Sequence, residues 1–180
     1  MIVDILIALA VVIAVLVVVV AMQPSDFRVT RSASTSAPLP VVFAHVYDLH
    51  KWEAWSPWDR LDPESRKTFE GPPSGVGAGY SWVGPKTGEG RMTTIESRPN
   101  ELIRFKLDFV KPFKANNTAE FTFQPQGNQT VVTWSMTGKN NFVFKAFGLI
   151  VNCDKMCGDQ FEKGLANLKS VTEAEITTNR

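Results

Sequence analysis

A single apolar stripe near the end of the chain constrains everything before it. Cys157, Phe161, Leu165 and Leu168 recur at helical spacing across Gly158–Lys169, with Asp159, Glu162, Lys163 and Lys169 on the opposite side. A helix that is apolar along one side has to bury that side. The residues ahead of it read mostly as β, so the partner on offer is a sheet, and the layout predicts a cavity between helix and sheet.

The strands announce themselves by period two. In Glu101–Phe109, Ile103, Phe105, Leu107 and Phe109 share one face and Arg104, Lys106 and Asp108 the other. Asn117–Gln124 opposes Ala119, Phe121 and Phe123 to Thr118, Glu120 and Thr122, and Gln129–Gly138 sets Val132, Trp134 and Met136 against Val131, Thr133, Ser135 and Thr137. Gly88–Arg98, Tyr80–Val83 and Phe27–Ser34 read as further strands. Pro99-Asn100 and Gln126-Gly127-Asn128 are turns, which makes the later strands an antiparallel meander. The glycine-rich stretch Gly71–Gly79 lacks the GxGxxG spacing and runs into a strand instead of a helix, so it is read as a turn and not as a phosphate loop.

Between the first strand and the meander lie two short helices. Ser36 is a candidate cap and Pro38 fits the first turn, with Val42, Val46, Leu49 and Phe43 as the buried face. His45 and Asp48 lie three apart and could bond each other; the position of the apolar face predicts that both sit at the surface. Trp52, Trp55 and Trp58 then fall within seven residues. Their indoles either plug one end of the core or form an aromatic rim at a pocket mouth or membrane interface.

Ile5–Met22 is an unbroken apolar run. About 18 residues at about 1.5 Å each cover about 27 Å, close to the hydrocarbon thickness of a bilayer. No Lys or Arg precedes the run, and it exceeds the usual length of a signal peptide's apolar region, so a membrane-spanning anchor is expected over residues 1–25, followed by one domain over 26–180. Arg28 and Arg31 follow the span and place that domain in the cytoplasm by the positive-inside rule. Phe142–Val151 is a second apolar segment, read as core-packing chain leading into the final helix, with a lid or a lipid-touching patch as the alternative. Beyond Lys169 the chain is polar and is expected to fray.

With 19 Lys and Arg against 18 Asp and Glu the chain is close to neutral, and no basic stripe carries interleaved aromatics; a nucleic-acid partner is therefore not expected. Cys153 and Cys157 could be joined only by the distant His45 and His50 in a metal set, so they are read as buried thiols, with no metal and no cofactor.

The order of strand, two short helices, meander and long final helix is the helix-grip arrangement, an α+β fold in which a curved antiparallel sheet wraps the last helix. Ala37–Asp48, Trp52–Pro63 with its WSPW and DP elements, GVGAGYSWVG at 75–84, GEGRM at 88–92, VVTWSMTG at 131–138 and Gly158–Lys169 resemble the SRPBCC superfamily, and within it the bacterial polyketide cyclase/dehydrase type. The resemblance implies a deep apolar cavity for a hydrophobic small molecule or lipid. On the dry faces, Trp82, Phe105, Leu107, Phe121, Trp134, Phe161 and Leu165 are the expected cavity residues, with Arg91 as the polar candidate. Arg91 lines the cavity only if it shares an inward face with Thr93 and Ile95; the other register points Met92 and Thr94 inward. Cyclases of this superfamily carry ionisable groups inside the cavity, and no such set is matched here residue by residue. A membrane-anchored binding domain and a cyclase-like enzyme acting by acid/base catalysis are the two functions that remain.

Overall fold

The computed structural model describes residues Met1–Thr178, apart from the Cys153 side chain. The apolar run forms α1 (Ile2–Met22), long and apolar enough to span a membrane, and Val20 is its one buried residue. There follow β1 (Asp26–Thr35), α2 (Leu39–Tyr47), a 3₁₀ turn (Leu49–Ala54), α3 (Pro57–Leu61), and strands β2 (Arg66–Glu70), β3 (Gly79–Gly84), β4 (Gly88–Arg98), β5 (Leu102–Lys111), β6 (Ala115–Gln126) and β7 (Gln129–Lys139). A short α4 (Phe142–Gly148) leads into the long α5 (Cys153–Thr178).

The strands form one antiparallel sheet in the order β1-β7-β6-β5-β4-β3-β2. Register shifts in the β4–β5 ladder leave Val110 of β5 unpaired beside Glu89 and Gly90, and Ile95 of β4 unpaired between Thr94 and Glu96, one bulge in each strand. Such bulges bend a strand and increase its twist, which lets a sheet wrap a helix. The predicted dry faces are the buried ones: Ile103, Phe105, Phe121, Phe123, Val132 and Trp134 all face α5 or the core around it. One contact of the grip is aromatic, with the Phe161 ring of α5 lying flat on Trp134 at 4.1 Å between centroids. The helix can come that close because residue 164 is glycine. A Cβ there would stand 2.7 Å from the Trp134 ring and 2.9 Å from Pro57 Cδ.

Trp52 and Trp55 do plug the core. Their indole N–H groups donate to the carbonyls of Val46 (3.0 Å) and His45 (3.1 Å) in the last turn of α2, so acceptors left open at a helix end are satisfied by the same rings that fill the interior. The stretch 71–79 is a turn, as expected, and Gly71, Gly75 and Gly77 hold positive φ angles that other residues rarely adopt.

Five expectations are corrected. First, β2 was not foreseen, because Arg66–Glu70 holds a single apolar residue, Phe69, and lies at the sheet edge where one inward ring suffices. Second, Ser36 does not cap α2; its amide and hydroxyl both bond Glu173 Oε1, at 2.8 and 2.9 Å. Third, His45 is buried, and its Nε2 meets Glu175 Oε2 at 2.6 Å instead of reaching Asp48. Fourth, the polar tail stays helical to Thr178, with Thr172 fully buried; Asn179 and Arg180 lie outside the described residues. The third and fourth share a cause, since Glu173 and Glu175 fasten α5 to the start and the last turn of α2. Fifth, Phe142–Val151 is no core segment. None of α4 is buried, and Phe142, Val143, Phe147, Leu149 and Ile150 stand open, Ile150 at 87 % exposure.

Candidate ligand pocket

A pocket of about 300 Å³ opens between the sheet and the first half of α5. Its volume sits at the lower end of the range for small-molecule sites. The sheet and α5 supply most of its apolar wall, with Trp82 from β3, Met92 from β4, Leu107 and Phe109 from β5, Trp134 and Met136 from β7 and Phe161 from α5, and Trp52 and Trp58 join them from the 3₁₀ turn and α3. Of the residues expected to line the cavity, Trp82, Leu107, Trp134 and Phe161 do so. Phe105, Phe121 and Leu165 are buried on the same side but are consumed in core packing; Phe121, for example, stacks on Trp134 at 4.8 Å.

Arg91 does not line the pocket. Met92 and Thr94 take the inward register, and the Arg91 guanidinium lies half exposed on the outer face, 2.9 Å from Glu70 Oε2. The polar groups of the pocket come from residues the sequence reading passed over. Asp59 on α3 and Lys67 on β2 form an ion pair on the pocket wall, their side chains only 20 % and 12 % exposed. Lys67 shares the inward face of β2 with Phe69, and its ammonium lies 5.1 Å from the centroid of the Tyr80 ring. Burial, and then the Asp59 carboxylate, push the Tyr80 phenol well above its ordinary range, so it is a neutral phenol in this setting. The one signal in the sequence was the two-residue spacing of Lys67 and Phe69, and β2 had to be recognised before that spacing meant anything.

The rim of the pocket is latched. Asp62 Oδ2 accepts hydrogen bonds from the Lys86 amide (2.9 Å), the Thr87 amide (2.8 Å) and the Thr87 hydroxyl (2.8 Å), which ties the β3–β4 hairpin to the end of α3. Burial works against the Asp62 charge, but the bonds from Thr87 and Lys86 outweigh it and hold the carboxyl below its usual value. Cys157 lines the pocket at the start of α5. Of the candidates for a metal set, His45 is on Glu175 and His50 stacks on Phe69 at 4.1 Å, and the Cys153 side chain lies outside the described residues.

A curved antiparallel sheet gripping a C-terminal helix over an apolar pocket defines the helix-grip class. The family model described as polyketide cyclase/dehydrase and lipid transport matches residues 26–173, and the chain belongs to that family. Among solved structures, a protein of Nitrosospira multiformis is similar at 20% identity and a TM-score of 0.60, covering 86% of this chain and 100% of its own. A protein of Chromobacterium violaceum is similar at 16% identity and a TM-score of 0.59, with 84% and 99% covered. The Aha1 protein of Colwellia psychrerythraea, solved as a dimer, follows at 13% and 0.58, with 82% and 96% covered. At these identities the likeness is one of fold. No curated protein matches the chain by sequence.

Proposed function

We propose that this chain is a membrane-anchored binding domain that holds a hydrophobic small molecule or lipid in the pocket beneath α5, with α1 as the anchor over residues 1–25 and the domain over 26–180 in the cytoplasm. The observation that carries the reading is the pocket itself, walled by aromatic and thioether side chains of the sheet and by the gripped helix, and closed at its rim by a hydrogen-bonded hairpin.

The position of the rim supports a supply from the bilayer. Stepping across the sheet by register, Asp26 at the exit of α1 pairs with Lys139; Gly138 pairs with Asn117, Ala115 with Phe109, and Lys111 with Glu89 beside the β3–β4 hairpin. The hairpin at the pocket rim and the membrane exit thus lie at one end of the sheet. The open apolar residues of α4 are at that end too: α4 packs on α1, and Lys145 Nζ reaches the Ala21 carbonyl at 3.5 Å. Phe113, in the β5–β6 loop, meets Phe144 edge to face at 5.6 Å and extends the patch. An apolar helix beside a membrane span, with Lys139 ahead of it and Lys145 within it, suits the boundary between headgroups and acyl chains. The α4 segment leads into the turn of α5 that carries Cys157 on the pocket wall.

The test is native mass spectrometry of the full chain released from detergent micelles. A discrete apolar adduct that survives release supports the reading. A bare chain that also fails to take up any added apolar probe refutes it.

The Asp59–Lys67 pair beside Tyr80 favours a second reading, a cyclase-like enzyme, because it places ionisable groups on an otherwise apolar wall. Turnover of a poly-β-keto thioester analogue, lost in Lys67→Met, would distinguish enzyme from carrier.

A further inference from the structure

The Asp59–Lys67 pair makes one end of the pocket unlike the rest. Both residues line it, both are largely buried, and each keeps unused hydrogen-bonding capacity: among the described residues, Asp59 Oδ2 and Lys67 Nζ are shielded from water and have no hydrogen-bond partner, Lys67 being held only by the Asp59 ion pair and the Tyr80 ring. An ammonium offers three donors and a carboxylate accepts at both oxygens, so an open donor and an open acceptor stand side by side. Groups buried in this state cost free energy until something satisfies them. Water is one candidate, and the polar end of a ligand is the other.

The charge state of the pair selects among ligands. Lys67 is already matched by Asp59, and its neighbours on the pocket wall include two aromatic residues, Tyr80 beneath the ammonium and Trp82 opposite it on β3. A carboxylate or phosphate placed beside Lys67 would also lie against Asp59, in surroundings of low dielectric where like charges repel strongly. The other cation on the wall, Lys86, is exposed and lies on the rim hairpin, away from the pair. A hydroxyl carries no such penalty. With the two side chains turned toward the pocket, its oxygen accepts from Lys67 and its O–H donates to Asp59 Oδ2, so it answers both groups at once.

We propose that the pocket takes an apolar molecule ending in a neutral hydroxyl group, an alcohol or enol, read by Lys67 and Asp59 together, and discriminates against the corresponding carboxylic acid. This rests on the ligand-binding reading above and names the class of ligand for that same pocket.

Two probes with one tail separate the possibilities, ω-bromoundecanol and ω-bromoundecanoate, titrated into the full chain in detergent at about pH 8, where the acid is ionised. Bromine quenches tryptophan on contact. All 5 Trp lie after α1, and Trp52, Trp58, Trp82 and Trp134 line the pocket, so quenching reports the pocket and not the span. The expected result is that the alcohol binds about tenfold more tightly than the carboxylate, and that Asp59→Asn closes or inverts that preference by leaving Lys67 uncompensated. Lys67→Met, which removes the donor while keeping an apolar stem of similar length, is expected to weaken the alcohol about tenfold. Equal or tighter binding of the carboxylate to the unmodified chain overturns the proposal while the binding reading stands. So does a preference that neither variant changes. Quenching by neither probe overturns both.

Discussion

Phe161→Ala is the sharpest test of the grip between α5 and the sheet. The ring is 1 % exposed and stacks on Trp134 with planes 7° apart. Burying a phenylalanine side chain is worth about 3 kcal/mol at most in transfer terms. The lost ring volume, about 80 Å³ at about 24 cal/mol per Å³, adds about 2 kcal/mol if the site does not collapse. Part of that volume opens into the pocket and can refill, which trims the total to about 4 kcal/mol. For a chain of this size such a loss lowers Tm by about 8–16 °C. Phe161→Leu, which keeps most of the volume, should cost no more than about 1.5 kcal/mol. Urea unfolding of the full chain in mild detergent, followed by near-ultraviolet circular dichroism, measures both. A loss under about 1 kcal/mol for Phe161→Ala would show that the ring is not packed as described and would refute the grip.

Three further outcomes follow from the same geometry. Gly164→Ala gains about 1 kcal/mol of helix propensity but drives a methyl into Trp134 and Pro57, so a net loss of stability is expected by the same unfolding assay, where a gain would contradict the close approach. Asp62, Glu173 and Glu175 are held below the usual carboxylate range: Asp62 by the bonds that outweigh its burial, Glu173 chiefly by the Ser36 amide, and Glu175 chiefly by His45. Each binds its proton less readily folded than unfolded, so their contribution is complete above the unfolded carboxyl range and is lost as pH falls through the lower folded values; Tm should be flat near neutrality and drop in acid, with a smaller drop in Glu173→Gln. In proteoliposomes of anionic phospholipid, a photo-crosslinking residue replacing Ile150 should label lipid, while one replacing Asn128, in the turn at the opposite end of β7, should not. Equal labelling at both positions would refute the proposed seating of α4.

Much of the fold was legible because the sheet is wet on one face and dry on the other. Strands such as Leu102–Lys111 therefore wrote their orientation in alternating residues, and α5 wrote its own in a stripe. What escaped was long-range and polar. Ser36 and His45 bond Glu173 and Glu175 from more than a hundred residues away, and no local pattern foretells such a pair. The ion pair of the pocket is local by comparison, and it escaped because Lys67 lies on an edge strand with one apolar residue, too few to show which side of β2 faces inward. Arg91 illustrates the converse case. On a strand the two faces are one residue apart, and choosing the wrong register moves a guanidinium from solvent into the pocket.

The account stands or falls on the pocket being the place where an apolar molecule rests. The most direct measurement is photolabelling of the full chain in proteoliposomes with a long-chain alcohol carrying a diazirine, with the adducts mapped by peptide mass spectrometry. The account predicts labels on Met92, Leu107, Met136 and Phe161, which converge only in the folded pocket. Labels confined to α1 and α4 would show a probe that merely dissolves in the bilayer, and would contradict it.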